Sequence, residues 1–267
     1  MSLLVVALAL LTVLALLQWE RLSLALRRAQ AAASDPRVFE QRPPQPRQRV
    51  LVLGDSTGVG VGAGDPARSV AGLLGSDRPD AEVVNRCRAG ARLQDVWDQL
   101  PDLPADRFDL VLLHVGGNDV LRHTSRPELA AQADALMARL RGLAPRVLWL
   151  STANIGLAPV FLPPLSWWFS RRTRAAADCF REAAQRHGAE FISFYRERGA
   201  DPFSRLPQVY FADDGVHPSA ASYRLCYEVV RRRLGLRRRR RAQRASSRGV
   251  RTYSPTSMRP ARKPASQ

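Results

Sequence analysis

The chain has few of the residues that hold metal ions or build disulfide frameworks. Its three cysteines, Cys87, Cys179 and Cys226, are widely separated and odd in number, so they form no CxxC pair and predict no disulfide framework. Cys87 and Cys226 lie in apolar patterns and are interpreted as small core residues. The four histidines are scattered and show no zinc-ligand spacing with the cysteines. The sequence therefore predicts no metal site.

Lysine is almost absent, and acidic residues are missing from the C-terminal end. The segment from Arg231 onwards contains 13 arginines, the single lysine Lys263 and no acidic residue, so it carries +14 of the net charge of +17. We expect residues 235–267 to be disordered, because they have almost no apolar content. Anionic lipid headgroups are the simplest partner for such a tail. Nucleic acid is a less favoured partner, since Tyr253 is the only aromatic residue available for base stacking.

A long apolar run occupies the other end of the chain. Residues 3–19 include only two polar side chains, and as a helix of 17 residues they would span roughly 25 Å, near the short limit for crossing a bilayer. Trp19 lies where an interfacial aromatic residue belongs, and arginines follow it. We predict a membrane anchor over residues 1–29, because no basic segment precedes the run. A cleaved signal peptide, ending near residues 31–33, is the alternative.

The arginines after the apolar run bear on orientation. The positive-inside rule places them, and the domain that follows, in the cytoplasm. Because the rule weakens before a large domain, the extracytoplasmic side remains the alternative.

Between the two ends, short apolar runs alternate with helical patterns. The runs lie at 49–54, 82–86, 109–115, 146–151 and 190–194, and the helical patterns at 66–75, 92–100, 126–142, 171–187 and 219–234. Short continuous apolar strands that alternate with helices predict a parallel sheet covered on both faces. We therefore expect one α/β domain at residues 49–234, which a Pro- and Arg-containing linker at residues 30–48 joins to the anchor.

Polar clusters flanked by glycine follow the first and third predicted strands. These are the GDS of residues 54–56 and the GGND of residues 116–119. In a flavodoxin-like strand order, the crevice between strands one and three lies beside both clusters. The segment DGVHP, residues 214–218, precedes the last helix. Its Asp can reach the Nδ1–H of the His three residues later, which leaves Nε2 to accept a proton from a serine hydroxyl.

These clusters resemble the blocks of the SGNH hydrolases, also called the GDSL esterase/lipase family. The resemblance covers about residues 49–234, and its blocks occur in order as GDST at 54–57, NRCRAG at 85–90, GGND at 116–119 and DGVHP at 214–218. One departure is Thr57, where the family name has Leu. The resemblance implies a three-layer flavodoxin-like α/β sandwich with a five-stranded parallel sheet, the SGNH hydrolase fold.

The resemblance also implies roles for individual residues. Ser56 would be the nucleophile, His217 the general base and then acid, and Asp214 the residue that orients His217. The oxyanion hole would comprise the backbone N–H groups of Ser56 and Gly90 and the side-chain amide of Asn118. Such a site suits ester hydrolysis, because a serine hydroxyl needs a neighbouring base and fixed donors stabilise the oxyanion. This chemistry requires no metal or organic cofactor.

Structural roles are the simpler interpretation of several of these residues. Ser56 read alone is a favoured helix N-cap, and Asp214 read alone is an Asx-turn residue. We expect Asp55 and Asp119 to brace their loops by hydrogen bonds. His114, inside the third strand, is interpreted as a core histidine.

An aromatic segment, residues 154–172, follows the fourth strand. It is either a packed loop that leads into a helix or an apolar wall for an acyl chain near the bilayer.

Together, the four blocks, the anchor and this segment lead us to expect a serine esterase that hydrolyses a lipid-derived or other acyl ester, similar to lysophospholipases and thioesterases. A polysaccharide O-deacetylase and a non-catalytic membrane adaptor of the same fold are the alternatives.

Overall fold

Five parallel strands form the middle layer of the protein. The computed structural model describes residues 3–34 and 37–236. The strands are β1 (Gln48–Gly54), β2 (Ala81–Asn85), β3 (Leu110–His114), β4 (Arg146–Leu150) and β5 (Glu190–Ile192). They are arranged in the order β2-β1-β3-β4-β5, and every neighbouring pair is parallel. The predicted flavodoxin-like sheet is confirmed.

Helices connect the strands and cover the sheet. In the described residues they are α1 (Leu3–Ala33), α2 (Ser56–Val59), α3 (Val70–Asp77), α4 (Gly117–Leu121), α5 (Arg126–Leu143), α6 (Leu165–Arg186), α7 (Pro202–Arg205), α8 (Pro207–Tyr210) and α9 (Ala220–Arg233). Short 3₁₀ helices occur at Pro66–Arg68, Gln94–Gln99 and Ile155–Leu157.

Alternation along the strands separates two hydrophobic cores. In β1, Leu51 and Leu53 point to one face of the sheet, and Val50 and Val52 to the other. Helices α5 and α6 cover the first face, and α3 and α9 cover the second. The largest buried side chain is Trp149 of β4, which stacks on Phe180 of α6. These contacts confirm the predicted three layers.

Several elements differ from the sequence prediction. The pattern at 92–100 forms a 3₁₀ helix at Gln94–Gln99 rather than an α-helix, and α6 begins at Leu165, six residues before the predicted start. The short helices α2 and α4 were not predicted. A helix of four or five residues is too short to show a 3.6-residue apolar period, so the sequence pattern carries no signal for it.

Helix α1 is long and apolar enough to cross a membrane, a property that it shares with signal sequences. Its second half packs against the domain, because Ala25 is buried in the first core and Leu22 is partly buried there. Gln18 ends the apolar run, and its side chain donates to the Val160 carbonyl (2.9 Å) and accepts from the Leu162 N–H (2.8 Å). Helix α1 therefore contacts the domain immediately after its apolar half.

The segment predicted as a linker also touches the domain. α1 continues to Ala33, and further along the chain Gln41 forms an antiparallel bridge with Val83 at the edge of β2. Phe39 packs against Gly75 of α3. From residue 237 onwards, the predicted disordered Arg-rich tail (235–267) lies outside the described residues.

Candidate active site

A tight turn presents Ser56 at the carboxyl end of β1. Gly54 has a φ of 135°, and a Cβ at this position would lie 1.7 Å from the His114 carbonyl oxygen, so only glycine fits. Asp55 caps α2, because its Oδ1 accepts from the Thr57 N–H (2.8 Å) and from the Thr57 hydroxyl (2.6 Å). The capping role that Ser56 alone would suggest therefore belongs to Asp55, and Thr57 strengthens that cap.

Gln99 holds the strand end that precedes Ser56. Its Oε1 accepts from the Gly54 N–H and its Nε2 donates to the Gly54 carbonyl, each at 2.8 Å. The side chain is 2% exposed. Sequence analysis missed this contact, because a polar residue 45 positions away carries no periodic or motif signal.

The loop before α9 brings an imidazole to the Ser56 hydroxyl. Nε2 of His217 lies 3.1 Å from Oγ of Ser56, and Nδ1 of His217 lies 2.6 Å from Oδ2 of Asp214. The imidazole side chain is 14% exposed and the Asp214 side chain 3%. Three residues that the sequence predicted to converge thus form one continuous chain of hydrogen-bonding atoms.

Asp214 is held by more than the imidazole. Its Oδ1 accepts from the N–H groups of Val216 and His217, both at 2.8 Å, which closes an Asx turn. Burial raises the pKa of this carboxyl, but the hydrogen bond and charge of His217 and the two backbone donors outweigh it, so the pKa lies below its usual value. Asp214 therefore remains a carboxylate that can orient and stabilise a protonated imidazole.

The predicted oxyanion-hole residues follow three strands: Ser56 begins α2 after β1, Gly90 lies in the loop after β2, and Asn118 lies in α4 after β3. Ser56 is the first residue of α2, so its N–H is among those that a helix leaves without an intrahelical acceptor. Gly90 has a φ of 81°, which favours glycine, and the Arg122 guanidinium lies 3.5 Å from where its Cβ would be. Nδ2 of Asn118 donates to the Ala91 carbonyl at 3.0 Å. An amide nitrogen carries two N–H donors, so one is left for a substrate.

Asp119 links α4 to the segment that follows Gly90. Its Oδ2 accepts from the Leu93 N–H (3.1 Å), and its Oδ1 accepts from the Thr124 hydroxyl (3.4 Å). Burial raises its pKa to about 6, although the Leu93 N–H acts in the opposite direction. The bracing role predicted for Asp119 agrees with these contacts.

His114 lies beneath the site at the end of β3. The residue is 5% exposed, and its Nε2 has no hydrogen-bond partner among the described residues. Burial lowers its pKa to about 4, so the ring is neutral at physiological pH. These properties agree with the predicted core histidine.

Helix α1 borders the loop that carries Asp214. Nη1 of Arg28 donates to the Asp213 carbonyl at 3.1 Å, and Nη1 of Arg21 donates to the Pro159 carbonyl at 3.1 Å. A cavity of about 910 Å³ lies between α1 and the loops at residues 59–66 and 212–214. The helix thus forms one wall of a space beside the candidate site.

The aromatic segment, residues 154–172, runs from the loop after β4 into α6 and divides into a packed part and an exposed part. Phe161 and Phe169 lie in the first core with ring centroids 4.4 Å apart. Trp167 is 61% exposed and Trp168 is 39% exposed. The packed-loop interpretation therefore fits the phenylalanines, while the tryptophans leave an apolar surface.

Residues suited to metal binding do not cluster in the described part of the chain. Residues 3–34 and 37–236 contain no group of three or more His, Cys, Asp or Glu side chains that could hold an ion.

Comparison with known proteins identifies the family. The GDSL-like lipase/acylhydrolase family model matches residues 52–225. A search of curated proteins gives no significant match.

Alignments with solved structures of similar fold cover almost the whole length of each solved chain. TesA is 25% identical with a TM-score of 0.55, and the alignment covers 70% of this chain and 98% of TesA. Axe2, an acetylxylan esterase from Geobacillus stearothermophilus, is 20% identical with a TM-score of 0.53, covering 73% of this chain and 99% of Axe2. A lipase/acylhydrolase from Enterococcus faecalis is 18% identical with a TM-score of 0.52, covering 70% and 95%. The chain belongs to the GDSL-like lipase/acylhydrolase family and is a hydrolase of SGNH type that acts on ester bonds.

Proposed function

We propose that the enzyme hydrolyses a lipid-derived acyl ester at a membrane through an acyl intermediate on Ser56. The observation that carries this proposal is the 3.1 Å contact between His217 Nε2 and Ser56 Oγ, backed by the 2.6 Å contact between His217 Nδ1 and Asp214 Oδ2. This arrangement supports proton removal from the hydroxyl by a fixed base, which a serine nucleophile requires.

In the first step, Ser56 Oγ attacks the ester carbonyl carbon while its proton moves to His217 Nε2. The Asp214 carboxylate stabilises the resulting imidazolium. The carbonyl oxygen becomes an oxyanion, for which the N–H groups of Ser56 and Gly90 and the free N–H of Asn118 are the proposed donors. One fixed donor of this kind lowers the barrier by roughly 3–4 kcal/mol.

The same residues complete acylation and then carry out deacylation. The imidazolium of His217 gives its proton to the departing alkoxide, so the alcohol leaves and the acyl group remains on Ser56. Water then loses a proton to Nε2 and attacks the acyl carbon. Collapse of the second oxyanion releases the acid and returns the proton to Ser56 Oγ.

The substrate class is inferred from helix α1. Its apolar half is long enough to enter a bilayer, and its second half packs beside the candidate site through Arg21 and Arg28. Cleavage near residues 31–33 would remove a helix that contributes the buried Ala25 to the core, which favours a retained anchor. The Arg-rich tail would add attraction to anionic lipid. A cytoplasmic orientation remains a prediction from the arginines alone.

A polysaccharide O-deacetylase is the second candidate function. The likeness to the acetylxylan esterase Axe2 suggests it, although at 20% identity that likeness shows the fold alone. Acetylated xylan and a vesicle-borne acyl lipid, offered separately to the enzyme, distinguish the two candidates. Faster release of acetate from the polysaccharide would favour the deacetylase.

Hydrolysis of a short-chain nitrophenyl ester tests the nucleophile. We expect the full-length enzyme in detergent to release nitrophenol and Ser56→Ala to lose about 10⁶-fold in kcat, as expected when a triad serine is removed. Ser166→Ala is the matched control, because Ser166 is also buried and its hydroxyl has no partner in the described residues. Equal turnover by wild type and Ser56→Ala would end the assignment.

A further inference from the structure

Exposed apolar side chains form a rim where α1 meets the domain. The rim, as used below, consists of Trp19 on α1 together with Pro163, Pro164, Trp167 and Trp168 at the start of α6. Trp19 is 71% exposed, more than Trp167 or Trp168 of α6, and all three side chains are large amphipathic rings. Tryptophan is enriched at the membrane–water boundary for that reason.

Hydrogen bonds fix the position of the rim along the axis of α1, relative to the apolar half of that helix. Gln18 ends that half and binds the backbone of Val160 and Leu162, which directly precede the prolines of the rim. Trp19 is the next residue, only about 1.5 Å further along the helix axis. Trp19 and the two prolines therefore lie close to the level at which α1 would leave the hydrocarbon, and the two tryptophans follow in the first turn of α6.

Cations accompany the domain part of the rim. The Arg172 guanidinium lies 5.0 Å from the Trp168 ring centroid and donates to the Val120 and Thr124 carbonyls, while the neighbouring Arg171 is exposed. An exposed arginine next to these rings suits the headgroup region, where the rings meet apolar carbon and the Arg171 guanidinium can meet phosphate.

The loop that carries Asp214 and His217, here called the catalytic loop, lies beside the half of α1 that follows Gln18. Arg21, about 5 Å along the helix from Gln18, binds the carbonyl of Pro159, and a Cβ at Gly215 would lie 3.9 Å from the Pro159 Cβ. Arg28, about 15 Å from Gln18, binds the Asp213 carbonyl. The loop with Asp214 and His217 therefore lies between about 5 and 15 Å from the end of the apolar run.

We propose that the rim inserts into the interfacial region of a lipid bilayer, so that the domain is held against the membrane at two points rather than hanging from α1. The partner is the lipid surface itself. An ester at the headgroup boundary would then meet the catalytic loop without leaving the membrane, a consequence that rests on the proposed function. The contact of the rim with lipid does not depend on catalysis.

Quenching of tryptophan fluorescence tests the contact. The full-length protein is reconstituted in phosphatidylcholine vesicles whose acyl chains carry bromine close to the headgroup. Three of the five tryptophans belong to the rim, while Trp149 is fully buried and Trp97 lies in the 3₁₀ helix Gln94–Gln99. We expect Trp167→Phe/Trp168→Phe to remove roughly two thirds of the quenchable emission, because two of the three rim rings are lost.

Trp97→Phe is the matched control, since Trp97 is 41% exposed and Trp168 39%. This variant removes unquenched emission, so the quenched fraction should rise. Quenching that is confined to Trp19, with no change in Trp167→Phe/Trp168→Phe, would overturn the proposal, as would a wild type that bromine does not quench. Ser56→Ala should be quenched like the wild type. An inactive enzyme with quenched rim tryptophans would refute the proposed function and leave the membrane contact intact.

Discussion

Asp214 makes both of the contacts that its sequence context predicts as alternatives. Its Oδ1 closes an Asx turn with two backbone N–H groups, and its Oδ2 binds Nδ1 of His217. The turn fixes the carboxylate, and the carboxylate fixes the imidazole. Asp214 therefore has both a structural contact, which closes the turn, and the geometry needed to orient His217.

We expect Asp214→Asn to keep the fold and lose roughly 10⁴-fold in kcat. The Asn oxygen can still accept from the Val216 and His217 N–H groups, but its NH₂ cannot accept from Nδ1–H. The imidazole then adopts the wrong tautomer and cannot act as base toward Ser56. Steady-state hydrolysis of a nitrophenyl ester measures the effect.

The neighbouring Asp213→Asn provides the control for that variant, because the structure links Asp213 to α1 through its backbone carbonyl. Activity near the wild-type value is expected. Comparable losses in both variants would show that the measurement reports on the loop rather than on the carboxylate at residue 214.

Asp119 gives the free energy of unfolding a characteristic pH dependence. Burial raises its pKa to about 6 in the folded enzyme, whereas an unfolded aspartate titrates near about 3.9. Between these values the folded state holds a proton that the unfolded state has lost, so the free energy of unfolding falls as pH rises from about 4 to 6. The full effect is about 3 kcal/mol at most.

Asp119→Asn removes this titration while keeping an acceptor for the Leu93 N–H. We expect urea unfolding in detergent to show a shallower decline in the free energy of unfolding between about pH 4 and 6 for the variant than for the wild type. Identical pH dependence in the two proteins would contradict the raised pKa.

Polar residues distant in sequence were the part of the site that could not be predicted. Gln99, 45 positions along the chain, binds both backbone groups of Gly54. A glutamine has no periodicity and belongs to none of the four blocks, so only the folded chain shows that it faces β1. The residues within the blocks could be predicted, because strand ends and turns place them locally.

At the scale of elements, the strands were predictable and the short helices were not. Continuous apolar runs indicate strands buried on both faces, and all five were found within a few residues of their predicted limits. The docking of α1 had no sequence signal, because small residues such as Ala25 occur equally in anchors and in cores. Its polar contacts are with backbone groups at residues 159–162 and 213, which only the folded domain presents to the helix.

Ala25→Asp should detach the second half of α1. Burying a carboxylate at this position costs several kcal/mol, and the arginines one turn away, Arg21 and Arg28, already donate to domain carbonyls. We expect trypsin to cut after Arg27 and Arg28 much faster in this variant, because the helix must open locally for cleavage. Gel analysis of the time course measures the rate.

Ala31→Asp adds the same charge at an exposed position of the same helix, and its cleavage rate should stay close to that of the wild type. If the two variants are cut equally fast, or if Ala25→Asp is as resistant as the wild type, the docking of α1 is wrong.

At the scale of the whole molecule, the sheet brings together segments that are far apart in the chain. Ser56 and His217 are separated by 161 positions, and their contact exists because the ends of β1 and β3 and the loop before α9 meet at one edge. The strand order places them there, and helix α1 adds a wall beside them. The proposed chemistry depends on the contact between the imidazole and the hydroxyl more than on any other feature.

Covalent labelling with a fluorophosphonate, followed by mass spectrometry of the peptides, tests that contact most directly. The account predicts one adduct, on Ser56, and labelling at least about 10³-fold slower in His217→Ala. His187→Ala is the control, because His187 also pairs with a carboxylate, Asp134, at 3.0 Å, and it should label at the wild-type rate. An adduct on another residue, or undiminished labelling of Ser56 in His217→Ala, would contradict the account.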